Sequence, residues 1–211
     1  MDASTLLNLI KVEIPEILGG EMIVFVGRSN VGKSTLIYRL TGKDVKRGKR
    51  PGVTRKPVEV IWRNRKIVDM PGFGFMSGLP KRVQEKIKTE TVRFIEENAD
   101  NIDLAILVID GKSALEIIER WERRGEIPID VEFFQFLREL NIPTIVAVNK
   151  LDKMKNVGAT INRLIEKFGL NGTWADYREV FIPISAKFGT NIDELKKVIE
   201  ERLREPQERH G

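Results

Sequence analysis

The stretch Gly27-Arg28-Ser29-Asn30-Val31-Gly32-Lys33-Ser34 follows a short apolar run that ends at Val26 and opens a helical pattern that continues to Leu40. It satisfies G-x-x-x-x-G-K-[ST], the P-loop motif, in which backbone N–H groups surround phosphate oxygens at the N-terminus of a helix. Lys33 supplies a cation for the β- and γ-phosphates, and the Ser34 hydroxyl ligates magnesium. The motif in this context predicts a binding site for the phosphates of a nucleotide.

The rest of the chain alternates between strand and helix patterns. Strands are predicted at 21–26, 57–62, 66–70, 103–109, 143–148 and 179–184. Helices are predicted at 34–40, 81–98 and 192–203, and in the stretch after Asn156. This alternation predicts an α/β fold with a mostly parallel six-stranded sheet, helices on both faces and one antiparallel edge strand from the early hairpin.

Length and composition favour one compact domain. In the 211 residues we expect a lead-in at 1–20 that packs on the domain, a single nucleotide-binding domain at 21–204 and a flexible tail at 205–211. With 41% apolar residues and no run long enough to span a bilayer, we expect a soluble, cytoplasmic protein without a membrane role. The absence of cysteine excludes disulfides and thiolate chemistry, and the net charge of +5 permits contact with nucleic acid.

A second phosphate-sensing element is predicted where a strand ends at Ile67-Val68. Asp69-Met70-Pro71-Gly72 fits D-x-x-G: the carboxylate can hold a magnesium-bound water, and the Gly72 N–H can reach the γ-phosphate. In Arg50-Pro51-Gly52-Val53-Thr54, Thr54 is the candidate for the second protein ligand of magnesium. The alternative for Thr54 is that it merely begins a strand.

The identity of the nucleotide base is predicted from an N-K-x-D pattern after an apolar strand, Asn149-Lys150-Leu151-Asp152. A carboxylate at Asp152 can accept hydrogen bonds from guanine N1–H and N2–H, whereas adenine would leave it unpaired, so GTP and GDP are favoured over ATP. Asn149 would steady the base, and the Lys150 stem would lie on a ring face. In Ser185-Ala186-Lys187, the Ala186 N–H is placed to donate to guanine O6.

These five elements, in this order, resemble the Ras-like GTPases of the P-loop class over nearly the whole chain. The stretches Gly27 to Ser34, Arg50 to Thr54 and Val68 to Phe75 resemble the EngB (YihA) family, of the TrmE-Era-EngA-EngB-like branch. The resemblance implies a monomeric GTPase switch in the assembly of the large ribosomal subunit, with its precursor and rRNA as partners. For the family it also implies roles in cell division and septation.

Two departures from the family pattern indicate an archaeal or otherwise divergent member. Bacterial relatives commonly have Thr at the position of Asn149. The segment Ser113 to Asp130, which includes Trp121, differs from the compact bacterial form and could change the contacts with a partner.

Hydrolysis poses a separate question, because Phe73 stands where many related GTPases have a glutamine that orients water. Slow intrinsic turnover is therefore expected. The resemblance implies that Asn30 ligates potassium, which acts much as an arginine finger does; the alternative is that Asn30 only stabilises its loop. Basic residues of the first switch, such as Arg47 and Lys49, and the apolar Phe73, Phe75 and Met76 could form a switch surface for rRNA and a partner. The alternative is a solvated basic loop with the aromatic residues packed into the core, which needs no partner.

Alternatives to a hydrolysing switch remain open at this point. A GTP-dependent binding module with negligible hydrolysis would share every nucleotide contact. A small-molecule kinase also uses a P-loop, but the guanine-reading pattern and the absence of an acceptor domain disfavour it.

The predicted site residues form three groups around GTP or GDP. Those expected to bind the nucleotide are Gly27, Arg28, Ser29, Asn30, Val31, Gly32, Lys33, Ser34, Thr35, Gly52, Val53, Thr54, Asp69, Met70, Pro71, Gly72, Asn149, Lys150, Leu151, Asp152, Ser185, Ala186 and Lys187. The catalytic candidates are Lys33, Asn30, Thr54 and Gly72. The metal candidates are Ser34 and Thr54 for Mg²⁺, Asp69 through a water, and Asn30 for K⁺.

Overall fold

The computed structural model describes residues 22–43, 58–73 and 80–204. Predictions for the lead-in, the tail, Gly52, Val53, Thr54 and the basic residues of the first switch lie outside the described residues, as do those for Phe75 and Met76. The described strands are β1 (Met22–Gly27), β2 (Val58–Trp62), β3 (Arg65–Asp69), β4 (Ile102–Asp110), β5 (Thr144–Asn149) and β6 (Phe181–Pro183).

The six strands form one sheet in the order β2-β3-β1-β4-β5-β6. Strand β2 pairs antiparallel with β3 at one edge, and every other pair is parallel. The hairpin turns at Arg63 and Asn64, which both have positive φ angles. The predicted α/β fold class, with its antiparallel edge strand, is confirmed.

In the described part of the chain, six α-helices flank the sheet. They are α1 (Lys33–Thr41), α2 (Lys81–Glu97), α3 (Ala114–Glu122), α4 (Ile129–Glu139), α5 (Val157–Lys167) and α6 (Ile192–Arg204). Helix α3 lies within the segment Ser113 to Asp130 that differs from the bacterial pattern, α4 begins at the end of that segment, and neither helix was predicted. Only Ala114 and Ile118 of α3 are buried, so the apolar stripe of this short helix is too narrow to stand out from its charged neighbours.

Alternate residues of each strand pack against different sets of helices. Ile23 and Phe25 belong to a core that contains the buried face of α1 and residues of α6. Met22, Val24 and Val26 belong to a second core formed with α2, α3, α4 and α5. Both faces of the sheet are therefore covered, as the apolar strand patterns predict.

The parallel register brings the carboxyl ends of the strands to one edge of the sheet. Phe25 is opposite Asp69, Gly27 is opposite Val108, and Asp110 is opposite Asn149. Loops that leave these strands therefore meet at this edge, where ligands bind in open α/β sheets. Within the described ranges, no helix has the length and apolar character needed to cross a bilayer.

Candidate nucleotide-binding site

The P-loop connects β1 to α1 in a conformation that requires glycine at two positions. At Gly27, with a φ of 149°, a Cβ atom would lie 2.4 Å from the Val108 carbonyl oxygen. Gly32 has a φ of 95°, and a Cβ atom there would lie 2.3 Å from Asn149 Nδ2. Asn30 also has a positive φ, 66°, a conformation that asparagine tolerates better than most residues. Because Gly32 has no side chain, the carboxamide of Asn149 fits directly against the backbone of the loop.

Lys33 and Ser34, at the start of α1, are both joined to Asp69 at the end of β3. Lys33 Nζ lies 2.6 Å from Asp69 Oδ1, and the Ser34 hydroxyl donates to Asp69 Oδ2 at 3.0 Å. Lys33 and Asp69 are mostly removed from solvent, which strengthens their attraction. The sequence did not predict this ion pair, because it placed Lys33 against the phosphates.

The oxygen atoms of Ser34 and Asp69 suit magnesium. This ion prefers oxygen ligands and is typically held by one or two protein groups together with water and nucleotide phosphates. The 3.0 Å separation of the Ser34 and Asp69 oxygens would let the hydroxyl ligate the ion directly and the carboxylate hold one of its waters. Bound magnesium would neutralise phosphate charge, while Lys33 provides the fixed cation.

The loop that follows β3 lies directly on the P-loop. The Ser29 N–H donates to the Phe73 carbonyl at 3.1 Å, and the Phe73 N–H donates to the Gly27 carbonyl at 3.3 Å. A Cβ atom on Gly72 would lie 3.0 Å from both the N and the Cα of Ser29. A side chain on Gly72 would push the two loops apart by a few tenths of an ångström, so the positions of the two loops depend on each other.

Phe73 belongs to the core, so of the two interpretations that the sequence allowed for its ring the packed one holds and the exposed switch surface does not. The side chain is fully buried, and its ring stacks on Phe133 of α4 with centroids 4.1 Å apart and an interplanar angle of 9°. Burial of the ring among apolar side chains of this core stabilises it in that position. Phe73 therefore cannot contact a water molecule at the phosphates.

The first turn of α4 contacts three other parts of the domain, none of which the sequence predicted. Besides the Phe133 ring on Phe73, the Asp130 carboxylate lies 4.0 Å from the Arg28 guanidinium of the P-loop. Glu132 forms an ion pair with Lys88 of α2 at 2.8 Å. The spacing of Asp130, Glu132 and Phe133 just after Pro128, at a helix start, is the only sequence signal for this arrangement.

Arg28 is directed toward α4, although the sequence placed it among the phosphate-binding residues. Among the described residues, Arg28 Nη1 and Asp130 Oδ1 are buried without a hydrogen-bond partner. Burial raises the pKa of the Asp130 carboxyl to about 6, and the charge of Arg28 partly opposes that rise. This pair is therefore a buried electrostatic contact between the P-loop and α4 that lacks a hydrogen bond.

Asn149, at the end of β5, joins the P-loop to the loop that follows β6. Its Nδ2 donates to the Val31 carbonyl at 2.8 Å, and its Oδ1 accepts from the Ala186 N–H at 2.9 Å. The Ala186 N–H, which the sequence assigned to guanine O6, is thus already bonded to Asn149. Satisfaction of both contacts fixes the orientation of the buried carboxamide.

Lys150 adopts the left-handed conformation, with a φ of 67°, and its side chain turns back over the P-loop. Its ammonium donates to the Asn30 carbonyl at 3.2 Å and forms an ion pair with Asp110. Asp110 was not predicted, although its place at the carboxyl end of β4 was a usable signal. These contacts hold the aliphatic part of the Lys150 side chain alongside the P-loop.

Asp152 carries the carboxylate expected to read the base. Its Oδ1 accepts a hydrogen bond from the Ser185 hydroxyl at 2.6 Å. This hydrogen bond, helped by nearby Lys153 and Lys187, lowers the pKa of the Asp152 carboxyl below its ordinary value. The carboxylate is exposed and ionised at neutral pH, as an acceptor of two guanine donors must be.

The other predicted residues contribute through their backbones or lie at the margin. The side chains of Val31 and Met70 are buried in the core, and the Met70 N–H donates to the Phe25 carbonyl. The Leu151 N–H donates to the Ile184 carbonyl. Pro71 is also buried, whereas Thr35 is partly exposed and Lys187 is exposed.

The fold and site define a P-loop GTPase. Residues 22–150 match the family model described as 50S ribosome-binding GTPase. The chain is 70% identical over 183 residues to "Probable GTP-binding protein EngB" of Pyrococcus abyssi, covering 87% of this chain and 86% of the relative. A protein of that name from Methanosarcina barkeri is 49% identical over 185 residues, which cover 87% and 88% of the two chains. The chain belongs to the EngB family of GTP-binding proteins, and its similarity to archaeal members fits the predicted archaeal origin.

Solved structures support the same placement. A crystal structure of a probable GTP-binding protein EngB is 71% identical, with a TM-score of 0.82, and covers 88% of this chain and all of that one. Era, in complex with MgGDPNP and nucleotides 1506–1542 of 16S ribosomal RNA, is 27% identical with a TM-score of 0.59. That match covers 92% of this chain and 60% of Era.

The raised pKa of Asp130 gives a prediction for stability against pH. The folded state binds this proton more tightly than the unfolded chain, so the stability contribution is fully present below about pH 4 and is lost as pH rises through about 6. In urea denaturation, the stability of the wild type relative to Asp130→Asn should fall by up to about 3 kcal/mol from pH 4 to 7.

Asp176→Asn serves as the control for this measurement. Hydrogen bonds from Thr173 lower the pKa of the exposed Asp176 carboxyl, so its contribution should stay constant between pH 5 and 7. If the unfolding free energies of the wild type and Asp130→Asn change equally between pH 5 and 7, Asp130 is ionised throughout that range and the prediction of a raised pKa is contradicted.

Proposed function

We propose that this GTPase is a slow molecular switch that acts in assembly of the large ribosomal subunit. The observation that supports slow turnover is the burial of Phe73 against Phe133, since no water-orienting side chain then occupies that position. Magnesium and Lys33 would stabilise phosphate charge while the attacking water stays poorly oriented. A binding module with negligible hydrolysis is the alternative that the same burial favours.

The nucleotide contacts of this switch are proposed as follows. Backbone N–H groups of the P-loop and the Lys33 ammonium hold the phosphates, Ser34 and Thr54 ligate magnesium, and Asp69 acts through a water. Gly72 senses the γ-phosphate. Asp152 reads the base, which Asn149 and Lys150 support. A single domain at 21–204 carries all of these groups, and we propose that it works as a cytoplasmic monomer.

The proposed partner is the precursor of the large subunit, through its rRNA. Support comes from the description of the matching family as 50S ribosome-binding GTPases. The Era structure shows that a related GTPase domain occurs in a protein that binds ribosomal RNA, there of the 16S type. Roles in cell division and septation stay predictions of the family resemblance.

Co-sedimentation with native large-subunit particles tests this function. The full chain should bind particles more tightly with a non-hydrolysable GTP analogue than with GDP. Asp152→Ala is the matched control, because it removes the proposed guanine acceptor from an exposed position without entering the core, so its binding should not respond to guanine nucleotides. Equal sedimentation of the wild type in both nucleotide states would contradict a switch on this particle.

Potassium activation is the second prediction for this function. We expect GTP turnover at least several-fold faster in potassium chloride than in sodium chloride, because a cation held by the Asn30 carboxamide would offset phosphate charge. Asn30→Gly should abolish the difference, since glycine keeps the left-handed backbone and removes only the carboxamide.

Asn141→Gly is the matched control for the potassium experiment. Asn141 also has a positive φ, 54°, but it lies beyond the end of α4 and away from the P-loop. It should keep the wild-type response to potassium. Equal rates of the wild type in the two salts would contradict the role of Asn30.

A further inference from the structure

Arg39, on the last turn of α1, contacts the loop Ser185 to Phe188, which we call the base loop. Its Nε donates to the Ala186 carbonyl at 3.0 Å, and its Nη2 donates to the Lys187 carbonyl at 2.7 Å. One guanidinium thus holds two consecutive backbone carbonyls. The planar fork of arginine can make such a pair of bonds, whereas an ammonium acts as a point charge.

These two bonds also set the direction of N–H groups in the base loop. A trans peptide is planar, so its N–H points away from its C=O. By holding the carbonyls of Ala186 and Lys187, Arg39 turns the N–H groups of Lys187 and Phe188 away from α1. The Phe188 N–H accordingly lies 3.4 Å from Ser185 Oγ, and this hydroxyl donates to Asp152. The N–H side of the base loop therefore faces the carboxylate proposed to read guanine.

We propose that Arg39 is a positioning residue for guanine recognition, which holds the base loop so that its N–H edge, which includes the Lys187 N–H, faces guanine O6. The inference rests on the proposed reading of guanine by Asp152 and this loop. Arg39 also belongs to the helix whose first turn carries Lys33 and Ser34, six residues or about 9 Å away along the axis. Helix α1 thereby sets the distance between the phosphate end and the base end of the site.

A basic residue in the last turn also stabilises a helix through its dipole, and the chain offers a matched control for that effect. Helices α1 and α3 are both nine residues long, and Arg39 and Arg120 each occupy the seventh position. Arg120 forms an ion pair with Glu116 on its own helix. Arg120→Ala therefore reproduces the loss of a helix-terminal cation without touching the base loop.

The test compares three nucleotides on the full-length chain with Arg39→Ala, Arg39→Lys and Arg120→Ala. GDP is the reference, the diphosphate of 2-aminopurine riboside lacks O6 together with the N1 proton, and inosine diphosphate lacks only the 2-amino group. The N1 proton contacts Asp152 in every variant compared, so its effect cancels when the preferences of Arg39→Ala and the wild type are compared. Arg39→Ala should release GDP about five- to tenfold faster, and its preference for GDP over the 2-aminopurine nucleotide should shrink by a similar factor. The preference for GDP over inosine diphosphate should not change, because Asp152 reads the 2-amino group.

The remaining variants distinguish the two hydrogen bonds of the Arg39 guanidinium from the effect of its positive charge. Arg39→Lys keeps the cation and should behave more like Arg39→Ala than like the wild type, whereas Arg120→Ala should match the wild type. Unchanged GDP release from Arg39→Ala, or equal weakening of all three nucleotides, would overturn the role of Arg39. Should the wild type bind ADP as tightly as GDP, the proposed guanine site itself would fail, which is a different result.

Discussion

The nucleotide site depends on one buried carboxamide, that of Asn149. Its two polar atoms bind the Val31 carbonyl in the P-loop and the Ala186 N–H in the base loop, at 2.8 and 2.9 Å. The loops come from opposite ends of the chain, and strand β5 places Asn149 between them at the carboxyl edge of the sheet. Gly32 is needed because any side chain there would collide with the carboxamide. Loss of either bond would leave a buried backbone group unpaired, which costs about 1–3 kcal/mol.

The phosphate end of the site is held by charge rather than by neutral hydrogen bonds. Asp69 engages Lys33 and Ser34 together, so the cation and the hydroxyl are both held at the start of α1. Phosphate oxygens and magnesium offer both groups competing partners of higher charge. Exchange of those partners would free Asp69 at the end of β3, next to the loop whose Phe73 is bonded to the P-loop and stacked on α4. Nucleotide binding would thereby be linked to the packing of the core.

Local sequence motifs predicted much of this site, whereas contacts between residues far apart in the sequence were not predicted. The P-loop, Asp69, Asn149 and Asp152 each lie at or just after the end of a strand. Because the parallel sheet brings strand ends together, the order of the motifs along the chain was enough to predict that these groups form one site. The ion pair between Arg28 and Asp130 joins residues about a hundred positions apart, and no periodicity marks it. Helix α3 was missed for a related reason, because it buries only Ala114 and Ile118 and its short sequence resembles a charged loop. Helix α4 buries five apolar residues, so its apolar pattern was a usable signal that the prediction from sequence missed. The burial of Phe73 likewise depended on Phe133, which belongs to one of those helices.

The most direct test of this account is the affinity of Asn149→Ala for GDP, measured by isothermal titration calorimetry. Asn98→Ala is the matched control, since the Asn98 carboxamide also donates to a backbone carbonyl, that of Phe94, but at the end of α2. We predict that Asn149→Ala binds GDP at least about tenfold more weakly while remaining folded, because both loops lose their common support. Asn98→Ala should bind GDP as the wild type does. Wild-type affinity in Asn149→Ala would contradict the claim that this carboxamide holds the site together.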